Sequence, residues 1–177
     1  MFIYKYIVFT FLTFAIGLGT TLQEVFNVAQ PQNGYDKYLV LENGEVYTGG
    51  LGIYEGSNFI DGKGAIGDLQ QGVGIWIYAS ESYPSDLKIQ YVNIINGAEY
   101  GITFAGTSTG SIENCNFYNN DFGAKFYDTV EVKVKNSNFV QCGTYGLGIY
   151  SMEPEIEISY CNFWDNINDN LMENCPN

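Results

Sequence analysis

The sequence predicts an all-β solenoid of about five coils, each built from three short strands. Three observations carry this prediction. First, a Gly–aliphatic–x–apolar–aromatic block recurs at Gly50-Leu51-Gly52-Ile53-Tyr54, Gly74-Ile75-Trp76-Ile77-Tyr78, Gly101-Ile102-Thr103-Phe104-Ala105, Gly123-Ala124-Lys125-Phe126-Tyr127 and Gly146-Leu147-Gly148-Ile149-Tyr150. Its start-to-start spacings of 24, 27, 22 and 23 residues suit an architecture in which each repeat is one coil. Second, another register falls inside each repeat, with segments starting at Ile89, Ile112, Val134 and Ile158 and an Asn before the last apolar residue at Asn93, Asn116, Asn138 and Asn162. Third, 21 glycines and 15 tyrosines against four prolines suit strands and turns rather than helices.

In chain order, residues 1–20 read as an export signal. Lys5 gives a thin positive start, Ile7 to Leu18 is apolar, and small residues follow at Gly17, Gly19 and Thr20. The apolar run is short for a membrane span, so no span is expected in the mature chain; an uncleaved anchor is the alternative. Residues 21–48 are assigned to an N-terminal cap and first-coil lead-in, 49–170 to the coils, and 171–177 to a tail or truncated coil. That tail is too short and polar to cap a solenoid, whose open end exposes core and strand edges. Self-association at the C-terminal coil or continuation in a longer protein is therefore expected.

Side chains alternate between the two faces of a strand. In the block strand, Leu51, Ile75, Ile102, Ala124 and Leu147 should point inward, as should Ile53, Ile77, Phe104, Phe126 and Ile149. In the second register Ile89, Ile112, Val134 and Ile158 point inward. A tight turn follows at Tyr91, Asn114, Asn136 and Tyr160, where Asn tolerates a left-handed conformation and can bond the next coil. Val92, Cys115, Ser137 and Cys161, then Ile94, Phe117, Phe139 and Phe163, complete the inward set. In register, Glu113 lies beside Lys135, and Lys133 beside Glu157, pairs that favour correct stacking.

The Gly-led strands, the Asn114/Asn136 turns, the Asn-Cys-x-Phe segment and the Ile60-Asp61-Gly62-Lys63-Gly64-Ala65-Ile66 stretch resemble the right-handed parallel β-helix proteins of the pectate-lyase-like superfamily. Phe117-x-x-Asn120 and Phe163-x-x-Asn166 are similar to the repeats of bacterial surface β-helices. The resemblance covers roughly residues 38–170. A leucine-rich repeat is disfavoured, because the inner positions mix Ile, Phe, Cys and Ala. The resemblance implies a substrate groove on the block strand. Its outward column there is Gly52, Trp76, Thr103, Lys125 and Gly148, flanked by Tyr54, Tyr78, Ala105, Tyr127 and Tyr150.

Tyr54, Trp76, Tyr78, Lys125, Tyr127 and Tyr150 are thus the candidate ligand-binding residues, with a polysaccharide or surface glycan as partner, since aromatic faces stack on sugar rings. The competing expectation is that stacked tyrosines only cover the solenoid. Many relatives use Arg or His in catalysis; this chain has neither, and no paired aspartates lie on the block strand. Lys125 is the single candidate base, and with Thr103 and Gly148 beside it a solvated lysine is expected. No cofactor is required. Ca²⁺ is a candidate ligand of the Asn119-Asn120-Asp121 and Asp165-Asn166…Asp169 turns through Asp121, Asp165 and Asp169, although ion-free polar turns are the simpler expectation. A net charge of −13 with seven lysines and no His disfavours nucleic acid. Cys115 and Cys161 sit two coils apart, roughly 9.6 Å by coil spacing, too far to bridge. Cys142 and Cys175 fall in connections where pairing is open.

The resulting expectation is a secreted or cell-surface protein, non-catalytic and glycan-binding through the block-strand sheet. The alternatives are a fragment of a polysaccharide lyase or glycoside hydrolase, and a structural adhesin or stalk segment.

Overall fold

The computed structural model describes residues 19–151, 153–173 and 175. The signal segment assigned to residues 1–20 therefore lies almost wholly outside the described residues. Six coils follow one short helix, α1 (Leu22–Val28). The coils are β1 (Lys37–Val40), β2 (Val46–Thr48) and β3 (Leu51–Ile53); β4 (Gly56–Asp61), β5 (Ile66–Asp68) and β6 (Ile75–Ala79); β7 (Ser85–Gln90), β8 (Asn93–Ile95) and β9 (Tyr100–Gly106). Then come β10 (Thr109–Glu113), β11 (Asn116–Tyr118) and β12 (Phe122–Phe126); β13 (Glu131–Lys135), β14 (Asn138–Val140) and β15 (Tyr145–Ile149); β16 (Glu155–Ser159), β17 (Asn162–Trp164) and β18 (Asp169–Leu171). Every third strand joins the same sheet, giving three six-stranded sheets whose pairings are all parallel, as in β6 with β9 and β9 with β12. The count is six coils rather than about five. The segment assigned to the lead-in already holds β1 and β2, and β18 lacks the glycine-led block.

The leading glycine is a packing requirement. A Cβ at Gly74 would collide with the Tyr100 and Gly101 carbonyl oxygens of the next coil, and one at Gly123 with the Gly146 carbonyl. The expected inward columns are the core. Ile53, Ile77, Phe104, Phe126 and Ile149 are all buried, as are Ile94, Phe117 and Phe139. Phe117 and Phe139 stack at 4.9 Å and 4°, and Phe139 and Phe163 at 5.1 Å and 11°. The turns at Tyr91, Asn114, Asn136 and Tyr160 all have positive φ, between 50° and 54°, which a Gly or Asn adopts most readily.

The side-chain ladder lies two residues further on than the turn asparagines. Asn116 Nδ2 donates to Asn93 Oδ1 at 2.7 Å and Asn138 Nδ2 to Asn116 Oδ1 at 2.6 Å. At the turns, the coil-to-coil bonds are made by backbone, Asn114 N–H to Lys135 O and Asn136 N–H to Ser159 O. A third ladder runs inside: Asn120, 1% exposed, donates to Ile94 O and accepts from Gly97 N–H. Asn166 repeats this towards Phe139 O and Cys142 N–H. Cys142, expected in a loose connection, occupies the same buried slot in the coil between them. All four cysteines are free thiols, so Cys142 and Cys175 do not pair. Of the two expected ion pairs, Lys133–Glu157 closes at 3.4 Å, while Glu113 and Lys135 are in register without a salt bridge among the described residues.

Helix α1 covers the N-terminal coil with buried Leu22 and Phe26. A capping box fixes its start, the Thr21 hydroxyl accepting from Glu24 N–H while the Glu24 carboxylate accepts from Thr21 N–H. At the opposite end Ile156, Ile158, Cys161, Phe163, Leu171 and Met172 are only partly buried. No helix among the described residues is long and apolar enough to cross a membrane.

Candidate functional site

The outward column of the sheet containing β3, β6, β9, β12, β15 and β18 is in the expected register: Gly52 pairs with Trp76, Trp76 with Thr103, Thr103 with Lys125 and Lys125 with Gly148. Its side chains do not stand freely in solvent. A second set of rings, Tyr100, Phe122 and Tyr145, folds over the face from the starts of β9, β12 and β15, where they are in register with one another. Tyr100 and Phe122 are each 3% exposed. The gap that admits Phe122 is Gly148, where a Cβ would press on the Phe122 ring. Sequence reasoning missed these rings, although each directly precedes a repeat glycine, in Tyr100-Gly101, Phe122-Gly123 and Tyr145-Gly146.

Lys125 is the centre of this cover. Its Nζ lies 3.9 Å from the Phe122 ring centroid, 5.5 Å from Tyr150 and 5.8 Å from Tyr100, within reach of cation–π attraction. The expected solvated lysine is thus half-buried among rings. The physical reason is Gly148, which leaves room for Phe122 to lie under the amine. Burial holds the Lys125 pKa below the ordinary lysine value, and the carboxylates of Asp121 and Glu99 oppose that shift only in part. Burial likewise pushes the Tyr100, Tyr127 and Tyr150 hydroxyls up. Beneath the rings Thr103 is fully buried, and its hydroxyl has no hydrogen-bond partner.

The flanking tyrosine column divides. Tyr127 and Tyr150 stack at 5.2 Å and 25°, Ala105 interrupts the run, and Tyr78 remains 42% exposed. Tyr54, 61% exposed, turns back over Gly52, where a Cβ would meet its ring. Between Tyr54 and Trp76 opens a groove of about 400 Å³, floored by Gly50, Gly52 and Gly74 and closed by Tyr100. Gln23 of α1 walls it on the N-terminal side and accepts the Gly52 N–H through Oε1 at 3.0 Å. Trp76 and Tyr100 meet at 6.1 Å and 53°. Of the six candidate binding residues, then, Tyr54 and Trp76 share an open groove beside Tyr78, while Lys125, Tyr127 and Tyr150 pack on one another.

The candidate calcium ligands are not gathered. Asp121 accepts from the Thr144 hydroxyl, Asp165 from Gln141 Nε2 at 3.1 Å, and Asp169 from Asn170 N–H at 2.6 Å. Asn120 and Asn166 of the same turns point inward, to backbone. Among the described residues no three His, Cys, Asp or Glu side chains form a group that could hold a metal ion. A larger hollow of about 670 Å³ lies beside Asn93, Asn114 and Asn116, but the amides of Asn93 and Asn116 there are engaged with each other and with Gly64 O.

A family model described as a right-handed β-helix region matches residues 38–175. The chain belongs to this right-handed β-helix family. The match begins within β1, runs through all six coils and leaves out α1. No match was found to a curated protein or to a solved structure.

Proposed function

We propose that this β-helix protein is a non-catalytic, secreted or cell-surface module that binds glycan at the N-terminal half of its aromatic face. The groove between Tyr54 and Trp76 carries the reading. Its floor of glycine backbone gives a flat ring close approach, its walls are aromatic, and backbone and Gln23 amide groups supply hydrogen bonds at the edge. One or two sugar rings fill a volume of this size, with Tyr78 extending the surface towards the next coil. The apolar segment Ile7–Leu18 and the strongly acidic composition support the localisation.

The test is binding of the purified chain to a panel of neutral and acidic polysaccharides, followed by Trp76→Ala and Tyr54→Ala. Loss of one stacking partner should weaken binding about tenfold, while Tyr150→Ala, at the packed end of the face, should change it less than twofold. Unaltered binding in both groove variants, or no binding across the panel, would remove the proposal. Release of unsaturated or reducing ends by the chain would replace it with an enzymatic one.

A further inference from the structure

We propose that the glycan groove continues past Tyr54, around the corner between β3 and β4, into a second subsite that takes the next sugars of a neutral chain. This rests on the glycan reading of the groove and adds to it a direction and a charge preference. The observation that carries it is a cleft of about 650 Å³ at that corner, which shares the Tyr54 ring with the groove, so that one side chain lines both cavities. The cleft is larger than the groove and falls within the span of about 300–1,000 Å³ usual for small-ligand sites. Phe26 of α1 and Ile53, both buried, give it an apolar floor. Tyr83 and Pro84, from the loop between β6 and β7, line it together with Tyr54.

The fold itself has no use for the Tyr83 ring. Its backbone closes the loop alone, N–H to Ser80 O and O from Ser80 N–H, both at 3.1 Å, while the residue stays 62% exposed. The corner is held in place around it. Asn58, 1% exposed, donates through Nδ2 to Glu55 O, Gly56 O and Asp86 O. Gly56 N–H donates to Pro84 O at 2.9 Å and ties the corner to the loop. Gly56 has a φ of 80°, and a Cβ there would press on the Asp36 carboxylate, which accepts Ser57 N–H at 2.8 Å. Two exposed tyrosines thus flank an apolar floor on a backbone already fixed, which lowers the ordering cost of stacking on sugar faces. The rim sets the class of sugar. Asp36 and Glu55 are exposed carboxylates in the lining, able to accept from sugar hydroxyls. The one lysine of the lining, Lys37, already donates to Asn27 O and Ala29 O at 2.7 and 3.0 Å. A uronic acid would meet two like charges here and a chain of net charge −13.

The test is calorimetry of the intact chain with neutral gluco-, manno- and xylo-oligosaccharides of two and about five units, and with oligouronates of the same lengths. The longer neutral chain should bind about tenfold more tightly than the disaccharide. Tyr83→Ala, checked for an unchanged denaturation midpoint, should remove that gain and leave the disaccharide within twofold. Trp76→Ala should weaken both lengths. The longer oligouronate should bind at least tenfold more weakly than its neutral counterpart, and Glu55→Gln should narrow that gap. Equal affinity for short and long chains, or a length gain untouched by Tyr83→Ala, would overturn the second subsite and leave the groove standing. A Tyr83 effect without a Trp76 effect would overturn the groove and with it the continuous path. Tighter binding of oligouronates would overturn the charge preference, and no binding by any series would remove groove and subsite together.

Discussion

The phenylalanine ladder gives the sharpest quantitative expectation. Phe139 is fully buried and sandwiched between Phe117 at 4.9 Å and Phe163 at 5.1 Å. Burial of such a side chain is worth about 1.5–3 kcal/mol, and each aromatic contact adds about 0.5–1.5 kcal/mol. Phe139→Ala should therefore cost about 4 kcal/mol, within the range of about 3–5 kcal/mol seen for such truncations. Phe163 has the same chemistry in the final coil, but it is only partly buried and has one ring neighbour in the ladder. Half the burial and one contact give about 2 kcal/mol for Phe163→Ala. Urea unfolding followed by far-ultraviolet circular dichroism would measure both, at matched slope so that the midpoint shift reports stability. Equal losses, or a larger loss at Phe163, would refute the inference that coil stacking, rather than a property of each coil alone, sets the energy.

Other consequences can be checked in the same protein. Asn120→Ala leaves Gly97 N–H and Ile94 O without their side-chain partner and should destabilise by about 2–4 kcal/mol. Cys142→Asn places the amide in the slot that Asn120 and Asn166 use and should stabilise by about 1 kcal/mol, read as a raised denaturation midpoint. Burial pushes the Cys115 and Cys142 thiols up to about 12 and Cys175 to about 11. The reactive thiolate is therefore scarce at neutral pH, and an aromatic disulfide reagent should titrate these three only as the chain unfolds. The scatter of Asp121, Asp165 and Asp169 predicts a melting temperature shifted by less than about 1 °C by millimolar Ca²⁺ or EDTA; a rise with Ca²⁺ would locate a site the geometry does not gather.

Much of the interior was legible because two periods coincide in it: alternation along each strand and repetition from coil to coil. Leu51, Ile75, Ile102, Ala124 and Leu147 satisfy both and are buried as expected. The coil count was less legible for a steric reason. The block glycine is needed where the backbone of a following coil crosses close above it, as at Gly74 beneath Tyr100 and Gly101. In β18 the equivalent position is Asn170, so the signature that marks five coils is missing from the sixth. The ladders show the same effect at finer scale. Asn93, Asn116 and Asn138 look identical in sequence to the turn asparagines, but only their backbone positions decide which amides reach one another.

The outer face obeys a different rule, and that is why Lys125 was misplaced. Alternation says which residues point out, but not which outward residues are covered. Coverage depends on gaps left by absent side chains: Gly148 admits Phe122, and Gly52 admits Tyr54. The first gap lets a ring slide under an amine and closes the C-terminal half of the face. The second draws a tyrosine back over glycine and leaves the adjoining groove open against Trp76. The residue before the repeat glycine differs between the two halves: Phe122-Gly123 and Tyr145-Gly146 flank the closed half, whereas Val73-Gly74 borders the open one. Replacing Val73 by Phe should extend the closed cover across the groove. Glycan binding should then be lost without a loss of stability, which separates occupation of the groove from damage to the coil.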